Sequence, residues 1–213
     1  MKVAVIDYGM GNLHSVLKSV QFVNDIGADI FLTSDPEQVI KADKVIFPGQ
    51  GAMPDCMREL NSHGLAEAVR ESTRNKPFFG ICVGAQLLLE HSEEGNTPGL
   101  GIFKGEVKRF AANLLDAHGE RLKVPHMGWN RVYQRQSHPL FAGIENGERF
   151  YFVHSYHFAP AEADINLAES EYPDRFCCIV GRGNIFATQF HTEKSHRAGL
   201  QMMKNFLAWD GTV

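Results

Sequence analysis

Long apolar runs are missing from this sequence. No uncharged stretch approaches the roughly 18 to 20 residues that cross a bilayer, and the N-terminal apolar run is cut by Asp7 after a few positions. Neither a membrane span nor a secretory signal is expected. Cysteine is sparse, and Cys56, Cys82, Cys177 and Cys178 lack C-x-x-C spacing. That excludes a disulfide scaffold and a zinc site and fits a reducing cytoplasm. Ten histidines are scattered without an H-E-x-x-H motif, so no metal is expected. Positive charge is also short: 21 Lys and Arg stand against 25 Asp and Glu, a formal charge of −4, which argues against a nucleic-acid partner. No linker-like stretch, block of like charge or internal repeat divides the 213 residues. One domain over residues 1–213 is expected.

What is present alternates strand with helix. Lys2 to Asp7 reads as a strand ending in Tyr8-Gly9-Met10-Gly11, and Asn12 caps a helix carrying Leu13, Val16, Leu17 and Val20 at helical spacing. Ile30 to Thr33 reads as a second strand, followed by a short helix to about Lys41 opened by a Ser34/Glu37 capping box with Pro36 in its first turn. Lys44 to Phe47 forms a third strand running into Pro48-Gly49-Gln50-Gly51, and Leu65, Ala68 and Val69 mark a helix before Asn75. Pro77 to Ile81, apolar throughout, suits a strand covered on both faces, and a helix over Gly84 to Leu89 follows almost without a loop.

The second half changes character. Strand-like runs follow at Gly105 to Phe110, Asn130 to Tyr133, Phe150 to His154, Cys177 to Val180 and Ile185 to Phe190, the last two joined by a hairpin at Gly181-Arg182-Gly183-Asn184. A closing helix starts after Ser195 as cap and buries Leu200, Met203, Phe206 and Leu207. The expected fold is α/β, with a mostly parallel central sheet flanked by helices and an antiparallel extension.

Ligands of open α/β sheets bind beyond the carboxyl ends of the strands, and the unusual residues of this chain stand there. Gly80-Ile81-Cys82-Val83-Gly84 has the form of a nucleophile elbow, with a thiol at the centre and a helix N-terminus behind it that favours the reactive thiolate. A buried, inert cysteine is the competing reading. Phe190-His191-Thr192-Glu193 offers a base and an orienting carboxylate; in extended chain residues two apart point the same way, so Glu193 can meet the His191 ring. Its competitor is a surface histidine beside a solvated glutamate. The amide of Val83 and those of Pro48-Gly49-Gln50-Gly51 could line an oxyanion site. Neither glycine pair continues as G-x-G-x-x-G, because His14 and Pro54 fill the third position, so no nucleotide cofactor is expected.

With these motifs the chain resembles the class I, triad-type glutamine amidotransferases. Within them it is most similar to the glutaminase subunits of histidine biosynthesis. The carriers are Asp7 to Leu13, Pro48 to Ala52, Gly80 to Leu88, Pro125-His126-Met127-Gly128-Trp129-Asn130 and Thr188 to Ser195, spread almost end to end. The resemblance implies hydrolysis of glutamine to glutamate and ammonia by Cys82, His191 and Glu193, with Val83 and Gln50 amides in the oxyanion hole. It further implies a glutamine site formed by Gly49, Gly51, Gln86, Glu94, Ser155 and Tyr156. Interface and gating elements are implied at His126, Met127, Trp129, Asn130 and Tyr151; a packed turn with a buried Trp129 is the bland reading of that segment.

The implied partner is a (β/α)8-barrel cyclase, which uses the ammonia to form imidazole glycerol phosphate and aminoimidazole carboxamide ribonucleotide. Activity is then expected mainly in the complex, with the Gln50 peptide turned away until the partner binds. Two positions depart from the family pattern: Thr192 stands where proline is common, and Gln50 where an apolar residue is. Three other readings stay open. They are a noncatalytic scaffold for a synthase, a freestanding cysteine hydrolase, and a subunit supplying ammonia to surface-polysaccharide amidation.

Overall fold

The computed structural model describes residues 1–116 and 118–213. Its first half is β1 (Lys2–Ile6), α1 (Leu13–Phe22), β2 (Asp29–Thr33), α2 (Pro36–Lys41), β3 (Lys44–Gly49), α3 (Met53–Ser62), α4 (Leu65–Asn75), β4 (Phe78–Cys82) and α5 (Val83–Gln86). Strands then dominate: β5 (Leu89–Ser92), β6 (Thr97–Pro98), β7 (Phe103–Arg109), β8 (His126–Arg131), β9 (Tyr133–Gln134), β10 (Arg149–His154), β11 (Tyr156–Pro160), β12 (Asn166–Glu171), β13 (Arg175–Arg182) and β14 (Ile185–Thr188). Helix α6 (His196–Ala208) follows.

The large sheet runs β2-β1-β3-β4-β14-β13-β11-β7-β5-β6. From β2 to β14 its pairs are parallel. From β14 onward they turn antiparallel, apart from the β5–β7 pair. Helices packed on both sides bury β3 and β4 completely, which is why β4, and β3 after Lys44, read as apolar runs. By contrast β7 alternates buried and exposed residues, as a strand with one wet face does. A separate ribbon pairs β8 with β10. His191 N–H donates to the Tyr151 carbonyl at 3.0 Å, which ties that ribbon to the end of β14.

The α/β architecture expected from the sequence is present; several local expectations are revised. Helix α3 was not foreseen, although Met53, Cys56, Met57 and Leu60 bury one face at helical spacing and Pro54 opens it. The helix expected over Gly84 to Leu89 stops at Gln86. Amides of Leu100, Ile102 and Gly101 claim the carbonyls of Leu87, Leu88 and Leu89, at 2.8, 2.8 and 3.1 Å, and pull that segment into β5. The cap of α2 is Asp35, whose carboxylate accepts from Glu37 N–H at 2.9 Å, not Ser34. Neither Asn12 nor Ser195 caps its helix through its side chain. The Ser195 hydroxyl instead donates to the His191 carbonyl at 2.6 Å and accepts from Tyr151 N–H at 3.0 Å, bracing the corner that carries His191.

Helix α6 is held by an unforeseen device. The buried Lys44 ammonium donates to the carbonyls of Phe206, Leu207 and Trp209, satisfying groups the helix end leaves open. Burial pushes the Lys44 pKa down, and the nearby Asp210 and Asp43 charges oppose that shift only in part.

Candidate active site

Cys82 ends β4 and α5 begins at the next residue, so one peptide must turn the chain from strand to helix. The turn places Cys82 at φ 55°, ψ −115°, a conformation an L-residue adopts only when its surroundings impose it. The glycines make the imposition possible. A Cβ on Gly84 would collide with the Phe47 carbonyl oxygen; one on Gly49 would sit 2.5 Å from the Gly84 nitrogen and 2.6 Å from the Tyr8 hydroxyl. Strands β3 and β4 therefore close against the elbow at backbone distance. Val83, as first residue of α5, presents an amide without an intrahelical acceptor.

Beyond β14 the chain places His191 and Glu193 side by side. His191 Nδ1 lies 2.8 Å from Glu193 Oε1, and both side chains are almost fully buried. The contact forms through a turn of 3-10 helix over Thr192–Lys194, not through the extended chain the spacing suggested. With Nδ1 occupied, Nε2 is the free ring nitrogen, buried and without a hydrogen-bond partner. Burial opposes charge on this ring, but the Cys82 sulfur and the Glu193 carboxylate outweigh it and raise the His191 pKa to about 10. An imidazolium facing a sulfur is the state this favours. Thr192, where the family pattern has proline, is fully buried and leaves its hydroxyl without a partner.

A cleft of about 230 Å³ opens over the thiol, lined by Gln50, Gly51, Cys82, Val83, Gln86, Glu94, Ser155, Tyr156 and His191 from the expected set. Gly49 lies beneath the lining, against the elbow. The Gln50 carbonyl accepts from the Cys56 thiol at 3.6 Å. Glu94 accepts from Met53 N–H at 2.8 Å with one oxygen, at the start of α3. Gln86 donates to the Tyr156 carbonyl at 3.3 Å and to Gln189 Oε1 at 3.0 Å.

Pro125, which opens the Pro125-to-Asn130 motif, completes the wall with Val153 and His154, two residues to which the sequence reading assigns no role. Gln189 was missed as well: fully buried, it points its amide nitrogen at the Cys82 sulfur, 4.0 Å away. Its signal was period two, since Gln189 and His191 alternate about Phe190.

The remaining expected residues lie on the β8–β10 ribbon, outside the cleft. Trp129 is not buried in a turn; it is 41% exposed on β8 beside Met127 at 62%, and it stacks on His196 at 5.0 Å and 5°. Tyr151 meets Trp129 edge-on at 5.9 Å. His126 and Asn130 turn inward, bonded to each other at 3.3 Å.

Comparison with known proteins places the chain in a family. The family model Glutamine amidotransferase class-I matches residues 4–209. The Imidazole glycerol phosphate synthase subunit HisH of Chromobacterium violaceum is 82% identical over all 213 residues and 100% of both chains. That of Neisseria meningitidis serogroup A is 66% identical over 212 residues, covering 98% of this chain and 100% of its own. Among solved structures, one described as a glutamine amidotransferase superposes with TM-score 0.71 at 18% identity over 97% of both chains, a likeness of fold. The chain belongs to the class-I glutamine amidotransferase family.

Proposed function

We propose that this chain is the glutaminase subunit of an imidazole glycerol phosphate synthase, acting as one domain over residues 1–213. The observation that carries the reading is the strained Cys82 sharing one cleft with a buried imidazole whose charge it influences and whose far nitrogen Glu193 holds. The full-length likeness to HisH subunits selects the pathway.

In this reading the Cys82 thiolate attacks the side-chain amide carbon of glutamine, and the new oxyanion accepts from the amides of Val83 and Gln50. His191 Nε2 gives its proton to the departing nitrogen, ammonia leaves, and a glutamyl thioester remains. Water, deprotonated by His191, attacks the thioester, and the thiolate is regenerated with release of glutamate. Glu193 keeps the ring oriented throughout and stabilises its charge. Gln86, Gly49, Gly51, Glu94 and the Ser155–Tyr156 backbone hold the substrate; the Glu94 oxygen that Met53 N–H does not engage takes its ammonium group.

Ammonia released into water at neutral pH is protonated and stops being a nucleophile, so the product is useful only if a partner receives it directly. We assign that partner as a (β/α)8-barrel cyclase, docking where β8 exposes Met127 and Trp129, with Tyr151 between that surface and His191. No described helix is long and apolar enough to cross a membrane. The test is glutamate release by the copurified complex, with and without the cyclase ligand. Wild type should release glutamate and Cys82→Ala should not, while the variant complex still uses free ammonia. Release by Cys82→Ala would remove Cys82 from the chemistry, and no release by wild type would leave a scaffold.

A further inference from the structure

A hydrogen-bond chain runs from β8 to the floor of the cleft, and its direction is fixed at every step. Asn130 Nδ2 donates to the Glu171 carbonyl at 2.8 Å and faces His126 Nε2 at 3.3 Å. An amide nitrogen only donates, so His126 Nε2 accepts and the ring proton sits on Nδ1. That proton goes to His154 Nε2 at 2.9 Å, which leaves the His154 proton on Nδ1, donated to the Tyr156 carbonyl at 2.8 Å. Gln86 donates to the same carbonyl, so both of its lone pairs are used. Gln86 also donates to Gln189 Oε1, which turns the Gln189 nitrogen toward the Cys82 sulfur.

The scheme requires both rings to be neutral. Burial supplies this, lowering the His126 pKa to about 4 and that of His154 to about 3. The His126 ring is also held in plane, stacked on Phe152 at 5.1 Å and on Tyr172 at 4.0 Å.

We propose that His154 is a positioning residue for glutamine: its Nδ1–H, presented in one tautomer by His126, holds the Tyr156 carbonyl and so sets the Ser155–Tyr156 backbone and the Gln86 amide at the cleft. This rests on the glutaminase reading of the cleft. It also explains why a strand that carries the exposed docking residues is paired, His126 to His154, with a strand that ends at the substrate site.

The experiment uses the complex and three variants of one position. Asparagine places an N–H where His154 Nδ1 stands but cannot reach His126; glutamine reaches His126 and withdraws the donor from Tyr156. His154→Gln and His154→Leu should raise KM for glutamine about tenfold, the worth of one buried hydrogen bond, with kcat little changed. His154→Asn should keep KM near wild type. His126→Leu should raise it less than His154→Leu, because it acts only through the tautomer. Should the leucine variants fail to fold, the Asn and Gln variants, both polar and of similar size, carry the comparison. Wild-type KM in His154→Gln, or an Asn variant as impaired as the Gln variant, overturns the proposal. Absence of glutamine turnover by wild type would strike the glutaminase reading instead.

Discussion

In the parallel half of the molecule, strand β14 delivers a histidine that is driven toward charge; in the antiparallel region, two histidines equally out of water are driven to neutrality. His191 meets a sulfur and a carboxylate, and their attraction outweighs the cost of burial. His126 and His154 meet each other, an amide nitrogen, aromatic rings and a carbonyl, so burial goes unopposed by any anion. The lesson is that burial alone does not set the state of an imidazole. The partner's charge does, and here one kind of residue suits the proposed proton transfer in one place and the proposed fixed hydrogen-bond geometry in the other.

The comparison can be broken most directly at the sulfur. Cys82→Ala should abolish glutamine hydrolysis in the complex, measured as glutamate release, while no substitution at His154 should approach that loss. Next in size, Gly84→Ala drives a methyl group into the Phe47 carbonyl; about 3 kcal/mol or more of stability should be lost, or the elbow displaced, read by denaturant unfolding together with turnover. Gln50→Pro removes one proposed oxyanion donor and should cost on the order of 3 kcal/mol in the transition state, read as a fall in kcat/KM.

The pH dependence of stability sharpens the contrast, because the two kinds of histidine carry opposite signs. For His191 the folded pKa lies above the unfolded value of about 6.5, so its contribution is complete below about 6.5 and disappears as pH rises toward about 10. Cys82→Ala removes a main cause of that elevation and should flatten the alkaline decline in thermal midpoint. For His126 and His154 the folded values lie below about 6.5, so their contribution is present above it and disappears as pH falls toward about 4 and about 3. His154→Asn should flatten the acid decline. Equal slopes in wild type and both variants would erase the distinction drawn here.

The smallest effect is expected at Thr192, the first residue of its 3-10 turn. There proline is geometrically suited and would remove a buried hydroxyl that has no partner. Thr192→Pro should be neutral or stabilise by up to about 1 kcal/mol, measured by denaturant unfolding, with the His191–Glu193 contact kept.

Legibility differed between the same two regions. In the parallel half each strand is a short apolar run, each is followed by a helix, and the glycine-flanked Cys82 stands at a strand end, so local pattern and tertiary role coincide. Even there the boundary of α5 escaped, because the carbonyls of Leu87 to Leu89 are claimed by residues 100 to 102 and not by their own helix. Glu193 was paired correctly with His191 on the wrong backbone, since two residues of extended chain and one 3-10 turn both bring i and i+2 within reach of a hydrogen bond here. In the antiparallel region β9 and β12 pair across about 35 residues of chain and His126 meets His154 across 28. Nothing local in either histidine announces that meeting.

The sequence by itself determined the fold class, the thiol at its bend and the carboxylate-bearing partner of the imidazole. Each of those follows from period, glycine sterics or near-neighbour spacing, which short segments encode. Only the tertiary structure decided which histidines carry charge, which way the amides of Gln86 and Gln189 face, and that Trp129 lies open on a strand. Those depend on what long-range folding brings within a few ångströms, where charge, desolvation and lone pairs are settled by neighbours remote along the chain.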